Sequence, residues 1–223
     1  MTRALIAALA LAVSPAPFLR AAIIYSDFGS ADNPFNQDSG EVVTRSADLQ
    51  PSFLFSPVTN MTLTQVDFVA SIGDPNDVNQ ISIVLSGDTD GHPGTVLASH
   101  EFDNAMGILG GEALDVPVPP VVLSWAPSDT VNLLAGQSYW ITLDGPVPGD
   151  VTWNDNTTLQ SFGVPSAGYS VFEGGQWLAL PNATLGALQI TGEEVDVAPE
   201  PGTALLLGMG LLGTVGFRRR FRK

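Results

Sequence analysis

Asp88 and Asp90 are the residues whose type and spacing best suit a bound cation. They stand two apart and precede Gly91, which permits a sharp bend, so a tight turn could direct both carboxylates at one ion. The loop lacks the glutamate that completes an EF-hand, and aspartates also make turns by bonding their own backbone. The pattern therefore predicts either a structural Ca²⁺ site with Asp88 and Asp90 as ligands or an ordinary turn.

The tryptophans could offer flat apolar faces to sugar rings. Trp140 alternates with apolar Tyr139 and Ile141, which predicts that its indole points away from the core. Trp153 precedes a run of amide and acid side chains that could hydrogen-bond hydroxyl groups. The alternative for every tryptophan is packing in the core. The hypothesis is a ligand platform made of Trp140, Trp153, Asn154 and Asn156.

No arrangement typical of catalysis is visible in the sequence. The histidines are His92 and His100, and no Gly-x-Ser-x-Gly nucleophile elbow accompanies them. No Glu-x-Asp-x-Glu pattern places acids together on one strand face. Cysteine is absent, which excludes thiol catalysis and cysteine-ligated metal sites. We predict a protein that is not an enzyme, with a glycan hydrolase as an alternative.

The candidate residues named above lie in or next to short runs in which apolar and polar residues alternate. Gly, Pro, Asn and Asp separate these runs. Examples of the period of two are Ile81, Ile83 and Leu85, then Tyr139, Ile141 and Leu143, then Leu188 and Ile190. No helical period is evident between residues 22 and 198. Roughly ten strands with regular turn signals predict two packed antiparallel sheets. Residues 22–192 are therefore predicted to form an all-β sandwich, jelly-roll-like or, alternatively, an immunoglobulin-like Greek key.

The charge of this region is strongly negative. The chain has 8 basic and 23 acidic residues. Residues 22–198 contain one basic residue, Arg45, and 22 acidic residues, which gives a net charge of −21. Nucleic acid and anionic lipid surfaces are poor partners for such a body. Neutral polymers and cations remain suitable partners.

Both ends of the chain predict export. Arg3 precedes an apolar stretch of ten residues, Ala4 to Val13, and small residues follow at Ala21 and Ala22. This pattern is typical of a signal peptide, so we predict that residues 1–21 are removed and that the mature chain starts at Ala22.

The other end has three parts after an acidic linker at residues 193–198. Pro199-Glu200-Pro201 keeps the chain extended, because proline neither continues a helix nor donates to a strand. A Leu/Gly-rich apolar run, residues 203–217, suits a transmembrane helix at the short end of the usual range. A basic cluster that would stay on the cytoplasmic side consists of Arg218, Arg219, Arg220, Arg222 and Lys223.

The tail at residues 199–223 resembles the PEP-CTERM sorting signal, which the membrane enzyme exosortase recognises in Gram-negative bacteria that make extracellular polysaccharide. The resemblance implies export, transient anchoring in the inner membrane, removal of the tail, and delivery to the cell surface or extracellular matrix. The body resembles exported "choice-of-anchor" sandwich domains in four short stretches. They are Ser26-Asp27-Phe28-Gly29, residues 90–97, residues 136–140 and residues 174–177.

The sequence thus favours an exported, non-catalytic protein of the surface or biofilm matrix that binds or organises extracellular polysaccharide. The expected partners are exosortase, the export machinery and, transiently, the inner membrane, with no nucleic acid. A module that binds other proteins for adhesion is the alternative.

Overall fold

Strands dominate the part of the chain that the computed structural model describes. That part comprises residues 21–29, 34–43, 50–110, 119–145, 151–156, 162–163, 169–173, 176–179 and 186–195. Residues 1–20 of the predicted signal peptide, residues 196–198 of the predicted linker and the whole sorting tail lie outside these ranges. Within them, no helix has the length and apolar character needed to cross a membrane.

Fifteen strands occur in the described ranges, in the following order. They are β1 (Ala21–Ser26), β2 (Gly40–Val43), β3 (Gln50–Phe55), β4 (Met61–Ile72), β5 (Gln80–Thr89), β6 (His92–Asp103), β7 (Gly107–Ile108), β8 (Val121–Trp125), β9 (Asn132–Leu133), β10 (Tyr139–Asp144), β11 (Val151–Asn154), β12 (Phe162–Gly163), β13 (Tyr169–Glu173), β14 (Gln176–Ala179) and β15 (Leu188–Glu194).

The strands form two sheets. The first has the order β12-β1-β15-β4-β11-β2. In it, β15 and β11 pair with successive parts of one edge of β4, and β9, β8 and β7 pair with the opposite edge. The second has the order β14-β13-β3-β10-β5-β6. The pairs are antiparallel except for β4 with β7. The long strand β4 is therefore the centre of the first sheet, and β6 is an edge of the second.

Eight of these strands give the order of a jelly roll. In the first sheet β1, β15, β4 and β8 are consecutive neighbours, and in the second β3, β10, β5 and β6 are. Along the chain these eight strands alternate between the sheets, apart from the hairpin of β5 and β6. This is a double-sheet jelly roll, with β11 to β14 inserted before the last strand. The predicted sandwich and its preferred topology are confirmed.

The inner faces of the two sheets meet in one apolar core. Phe68 of the first sheet and Ile83 and Ile141 of the second are fully buried in it. Tyr25 and Phe53 join the sheets, with ring centroids 4.4 Å apart. Because side chains on a strand point alternately to opposite faces, the residues between these core positions lie on the outer faces.

The closing strand extends further than the sequence predicts. β15 ends at Glu194, and its Glu193 and Glu194 pair with the first residues of β4. The Val195 N–H then donates to the Asn60 carbonyl at 2.9 Å. The sandwich therefore continues two residues into the predicted linker, because backbone pairing with β4 outweighs the unfavourable local composition.

Candidate functional site

Asp88 orients the hairpin turn between β5 and β6. Asp90 and Gly91 are the two residues between these strands, with φ angles of 56° and 82°. Positive φ at both positions is what a type I′ hairpin requires, and Asp-Gly is a preferred sequence for it. The Asp88 carboxylate accepts hydrogen bonds from the Gly91 N–H at 3.3 Å and the Trp140 indole N–H at 2.7 Å. Asp88 thus fixes both the turn and an indole.

The Ca²⁺ site at Asp88 and Asp90 stays a prediction. In the described ranges, no group of three or more His, Cys, Asp or Glu side chains is arranged to hold a metal ion. Both Asp88 oxygens already accept hydrogen bonds, and Asp90 is exposed. A cation bound here would share the Asp88 oxygens with their present donors.

Trp140 lies on the outer face of the second sheet, as the alternation predicts. Its neighbours Tyr139 and Ile141 belong to the main core cluster, and Trp140 does not. Its side chain is nevertheless only 1% exposed. The flat face of this indole is therefore closed to a ligand in this structure.

Trp153 and Asn154 occupy opposite faces of β11, and both are buried. Trp153 packs in the core and donates its indole N–H to the Ala187 carbonyl at 3.2 Å. Asn154 accepts the Ser71 hydroxyl at 2.9 Å and donates to the Asn36 carbonyl at 3.0 Å. Both residues join β11 to neighbouring segments, and neither presents a surface to solvent.

Asp27 is a buried carboxylate that the sequence analysis did not select. It accepts the Leu188 N–H at 2.6 Å, the Tyr25 hydroxyl at 3.2 Å and the Asn156 amide at 3.2 Å. Burial raises its pKa to about 6, although these hydrogen bonds lower it. No Lys or Arg lies in the described ranges, so within them hydrogen bonds alone balance this charge. Asn156 thus orients Asp27, and its predicted role as a ligand residue stays a prediction.

Asp155 is a second carboxylate beside Asn156. One of its oxygens accepts the Ser39 hydroxyl at 2.9 Å, and the other is buried without a hydrogen-bond partner. Burial raises the pKa of Asp155 as well. Two acids with raised pKa values suit proton transfer, but Asp27 is only 1% exposed and offers no approach to a substrate.

A row of polar and aromatic side chains crosses the outer face of the second sheet. Phe172 of β13 pairs with Trp177 of β14 on one side and with Gln50 of β3 on the other. Gln50 donates its amide N–H to Asp144 of β10 at 3.0 Å. The strand register continues the row through Ser82 of β5 to Glu101 of β6. We call these six residues the cross-strand row: Trp177, Phe172, Gln50, Asp144, Ser82 and Glu101.

The aromatic end of the cross-strand row is open to solvent in part. Phe172 and Trp177 are half-buried, and their ring centroids lie 5.2 Å apart in a tilted arrangement. Trp125, Trp140 and Trp153 are 1–3% exposed, so Trp177 is the tryptophan with an accessible surface. Five interstrand steps make the row about 24 Å long. An apolar ring surface beside amide, carboxylate and hydroxyl groups is suited to a chain of sugar rings.

The sequence comparisons identify the C-terminal segment. The family model for the PEP-CTERM protein-sorting motif matches residues 197–220. This chain carries a PEP-CTERM sorting signal. No curated protein matches the chain significantly. The PEP-CTERM signal supports an exported protein that exosortase sorts to the cell surface or extracellular space, as the sequence analysis predicted.

The PEP-CTERM residues themselves lie outside the described ranges. Pro199, Glu200, Pro201 and the terminal basic cluster are therefore assigned from sequence alone. The matched segment is 24 residues long and does not include the sandwich. The resemblance of the sandwich to choice-of-anchor domains thus stays a prediction.

Sequence reasoning selected Trp140 and passed over Trp177. Trp140 stands between Tyr139 and Ile141, and Trp177 between Gln176 and Leu178, but neither local pattern shows whether the indole is covered. Trp140 lies on β10, near the middle of its sheet, whereas Trp177 lies on the edge strand β14. Edge position leaves a side chain partly exposed, and strand order is not visible in the sequence.

Proposed function

We propose that this protein is a non-catalytic module of the cell surface or matrix that binds extracellular polysaccharide through the cross-strand row. The observation that carries the proposal is the half-buried Phe172–Trp177 pair beside the hydrogen-bonded Gln50 and Asp144. The PEP-CTERM signal supports delivery of this surface to the compartment in which such polymers accumulate.

The chemistry of the cross-strand row favours a neutral polysaccharide. Trp177 and Phe172 provide apolar area for the C–H faces of sugar rings, and Gln50, Asp144 and Ser82 provide donors and acceptors for hydroxyl groups. Glu101 and Asp144 add negative charge, and the described ranges contain no Lys or Arg. An acidic polymer would therefore meet repulsion unless cations bridged it to the protein.

A single substitution tests the site. Trp177→Ala should weaken binding to the producer's extracellular polysaccharide about tenfold, the effect of losing one contact worth about 1.4 kcal/mol. Isothermal titration calorimetry measures the affinity. Leu178→Ala is the matched control, because Leu178 is the next residue of β14 and is 42% exposed. Equal affinities for both variants and the unsubstituted protein would exclude this row as the site.

A reducing-sugar assay tests the non-catalytic part of the proposal. We expect no release of reducing ends from the bound polysaccharide. Release of reducing ends that is lost in Asp155→Asn would instead assign a glycan hydrolase, because Asp155 is a partly exposed carboxylate whose pKa is raised by burial.

We also propose that the apolar run at residues 203–217 anchors the protein transiently in the inner membrane before exosortase removes the tail. Its composition and the basic cluster after it support this orientation. Deleting residues 199–223 should release the protein into the medium or periplasm, as fractionation of the producing cells would measure. Retention of the shortened chain in the membrane fraction would contradict this proposal.

A protein-binding module is the second candidate, and β6 favours it. This edge strand of 12 residues exposes Val96 by 58% and Leu97 by 44%. An exposed edge can add a strand from a partner. Leu97→Lys should then reduce association with a purified matrix protein, whereas Val78→Lys, at another exposed site, should not. Unchanged association would exclude β6.

A further inference from the structure

Three exposed apolar side chains surround Asn60 at one end of the sandwich. Val58 is 76% exposed, Leu134 47% and Val195 42%. The Asn60 carbonyl accepts the Val195 N–H, and the Asn60 side chain accepts the N–H of Ala135, the residue after Leu134, both at 2.9 Å. Two loops and the end of β15 are thus held together. We call Val58, Leu134 and Val195 the anchor-side rim.

The anchor-side rim lies where the chain leaves the sandwich toward its sorting signal. Glu194, at the end of β15, pairs with Met61 at the start of β4, and Met61 pairs with Leu133. The PEP-CTERM match starts at residue 197, two residues after Val195. The eight Cα-to-Cα steps from Val195 to Thr203, where the apolar run starts, span at most about 29 Å.

That short connection limits how far the rim can be from a membrane that holds the tail. The polar layer on each side of the hydrocarbon core is about 5–8 Å thick. When residues 203–217 lie in the hydrocarbon, Val195 therefore stays within about 29 Å of the hydrocarbon boundary. A connecting segment that is less than fully extended allows Val195 to contact the headgroups. The tether also keeps the local concentration of the rim at the surface high, so weak apolar contacts suffice.

We infer that the anchor-side rim docks on the lipid surface while the sorting tail holds the protein in the membrane. The inference rests on the proposed transient anchoring. Branched aliphatic side chains at loop tips can enter the interface between headgroups and acyl chains. Glu194 and Asp129 are exposed near this end, and the described ranges hold no Lys or Arg. The surface recognised is therefore zwitterionic lipid, because anionic lipid would repel these acids.

Docking of this kind makes membrane contact depend on the tail. The three side chains are too few to hold the acidic body on lipid by themselves, whereas the tether supplies the second signal that stable attachment needs. Removal of the tail would then release the body without a separate step.

Single-cysteine labelling tests the inference, because the chain has no cysteine of its own. The full chain, exported and with its tail intact, is reconstituted in phosphatidylcholine vesicles that contain headgroup spin-labelled lipid. A fluorophore is attached to Val58→Cys or Leu134→Cys. Val78→Cys is the matched control, since Val78 is also an exposed valine, at 44%, but lies in the loop after β4, at the other end of the sandwich. A label at Gly208→Cys reports tail insertion.

We expect the spin-labelled lipid to quench labels at positions 58 and 134 and to leave the label at 78 unchanged. Quenching at 58 and 134 should fall when phosphatidylglycerol replaces phosphatidylcholine. Circular dichroism of each labelled variant checks that the sandwich is intact, and the label at 134 serves if the variant at 58 does not fold.

The unfavourable outcomes are distinct. If the label at 208 enters the lipid while those at 58 and 134 behave like the label at 78, lipid docking is wrong and anchoring stands. If the label at 208 stays in water, anchoring fails and the inference fails with it. The same labels are also measured after exosortase is added to the vesicles. If the labels at 58 and 134 are protected from solvent only in that sample, the rim contacts the enzyme rather than lipid, which also overturns the inference.

Discussion

Asp27 is a buried carboxylate that accepts hydrogen bonds from Leu188, Tyr25 and Asn156. Desolvation outweighs these bonds, so the pKa of this carboxyl rises from 3.8 to about 6. A charge held in this way is a cost to the folded state at neutral pH, even though the same bonds connect β1, β15 and the end of β11.

Acidification should therefore stabilise the fold through Asp27. Because the folded pKa is about 6 and the unfolded value 3.8, the folded state binds the proton first as pH falls. The stabilisation starts near the folded pKa, is complete below the unfolded one, and amounts to about 3 kcal/mol at 1.36 kcal/mol per pKa unit. Urea unfolding across this pH range measures it.

Asp27→Asn should reduce the rise in unfolding free energy between neutral and acid pH. Asp38→Asn is the control, because it removes one charge from an exposed position in the loop after β1. The comparison separates Asp27 from the general relief of negative charge on acidification. Identical pH profiles for the two variants would contradict the assignment.

The Asp88 carboxylate orients the hairpin turn and the Trp140 indole, and it is also a predicted Ca²⁺ ligand. Asp88→Ala should cost about 1–3 kcal/mol, because it leaves the buried Trp140 N–H without an acceptor. Asp88→Asn should retain most of the stability, since its side-chain oxygen can still accept. Thermal unfolding measures both, and repeating it with Ca²⁺ and EDTA tests the metal site. A Ca²⁺-dependent shift that Asp88→Asn and Asp90→Asn both remove would establish the site.

At the scale of elements, the approach of β11 to β15 depends on Gly186. This residue bridges to Asp155, and a Cβ at position 186 would overlap the indole ring of Trp153. Close backbone approach to a large buried ring therefore requires glycine here. The segment before β15 thus shapes the core around Trp153.

Gly186→Ala should destabilise the fold by about 1–3 kcal/mol, the usual cost of forcing extra volume into a packed core. Gly87→Ala is the control, because a Cβ there would meet nothing within 4 Å. Urea unfolding of both variants provides the measurement. Equal stability of the two variants would show that Trp153 moves aside at no cost.

At the scale of the whole molecule, the jelly roll separates its two proposed surfaces. The cross-strand row lies on the outer face of the second sheet, whereas the anchor-side rim lies at the end from which β15 leads to the sorting signal. Polysaccharide binding and membrane contact would thus use different parts of the surface. Trp177→Ala should accordingly leave membrane attachment unchanged, as vesicle flotation of the full chain would show. Loss of attachment in this variant would mean that the two surfaces overlap in function.

The sequence by itself determined the destination and the architecture of this protein. A sorting signal is read as a linear string, so Pro199, Glu200 and Pro201 needed no fold to be recognised. The period of two along runs such as Ile81 to Leu85 reflects the geometry of a single strand, so the sandwich was predictable as well.

Only the tertiary structure decided which side chains are available to a partner. Trp140 and Trp177 both lie on strands, but Trp140 is enclosed near the middle of its sheet and Trp177 lies on an edge strand. Asp27 owes its raised pKa to burial in the packed sheets, and the groups that lower this pKa by hydrogen bonding, including Leu188 and Asn156, are more than a hundred residues away along the chain. Burial and long-range hydrogen bonds depend on strand order and register, and these are properties of the packed sheets rather than of any local segment.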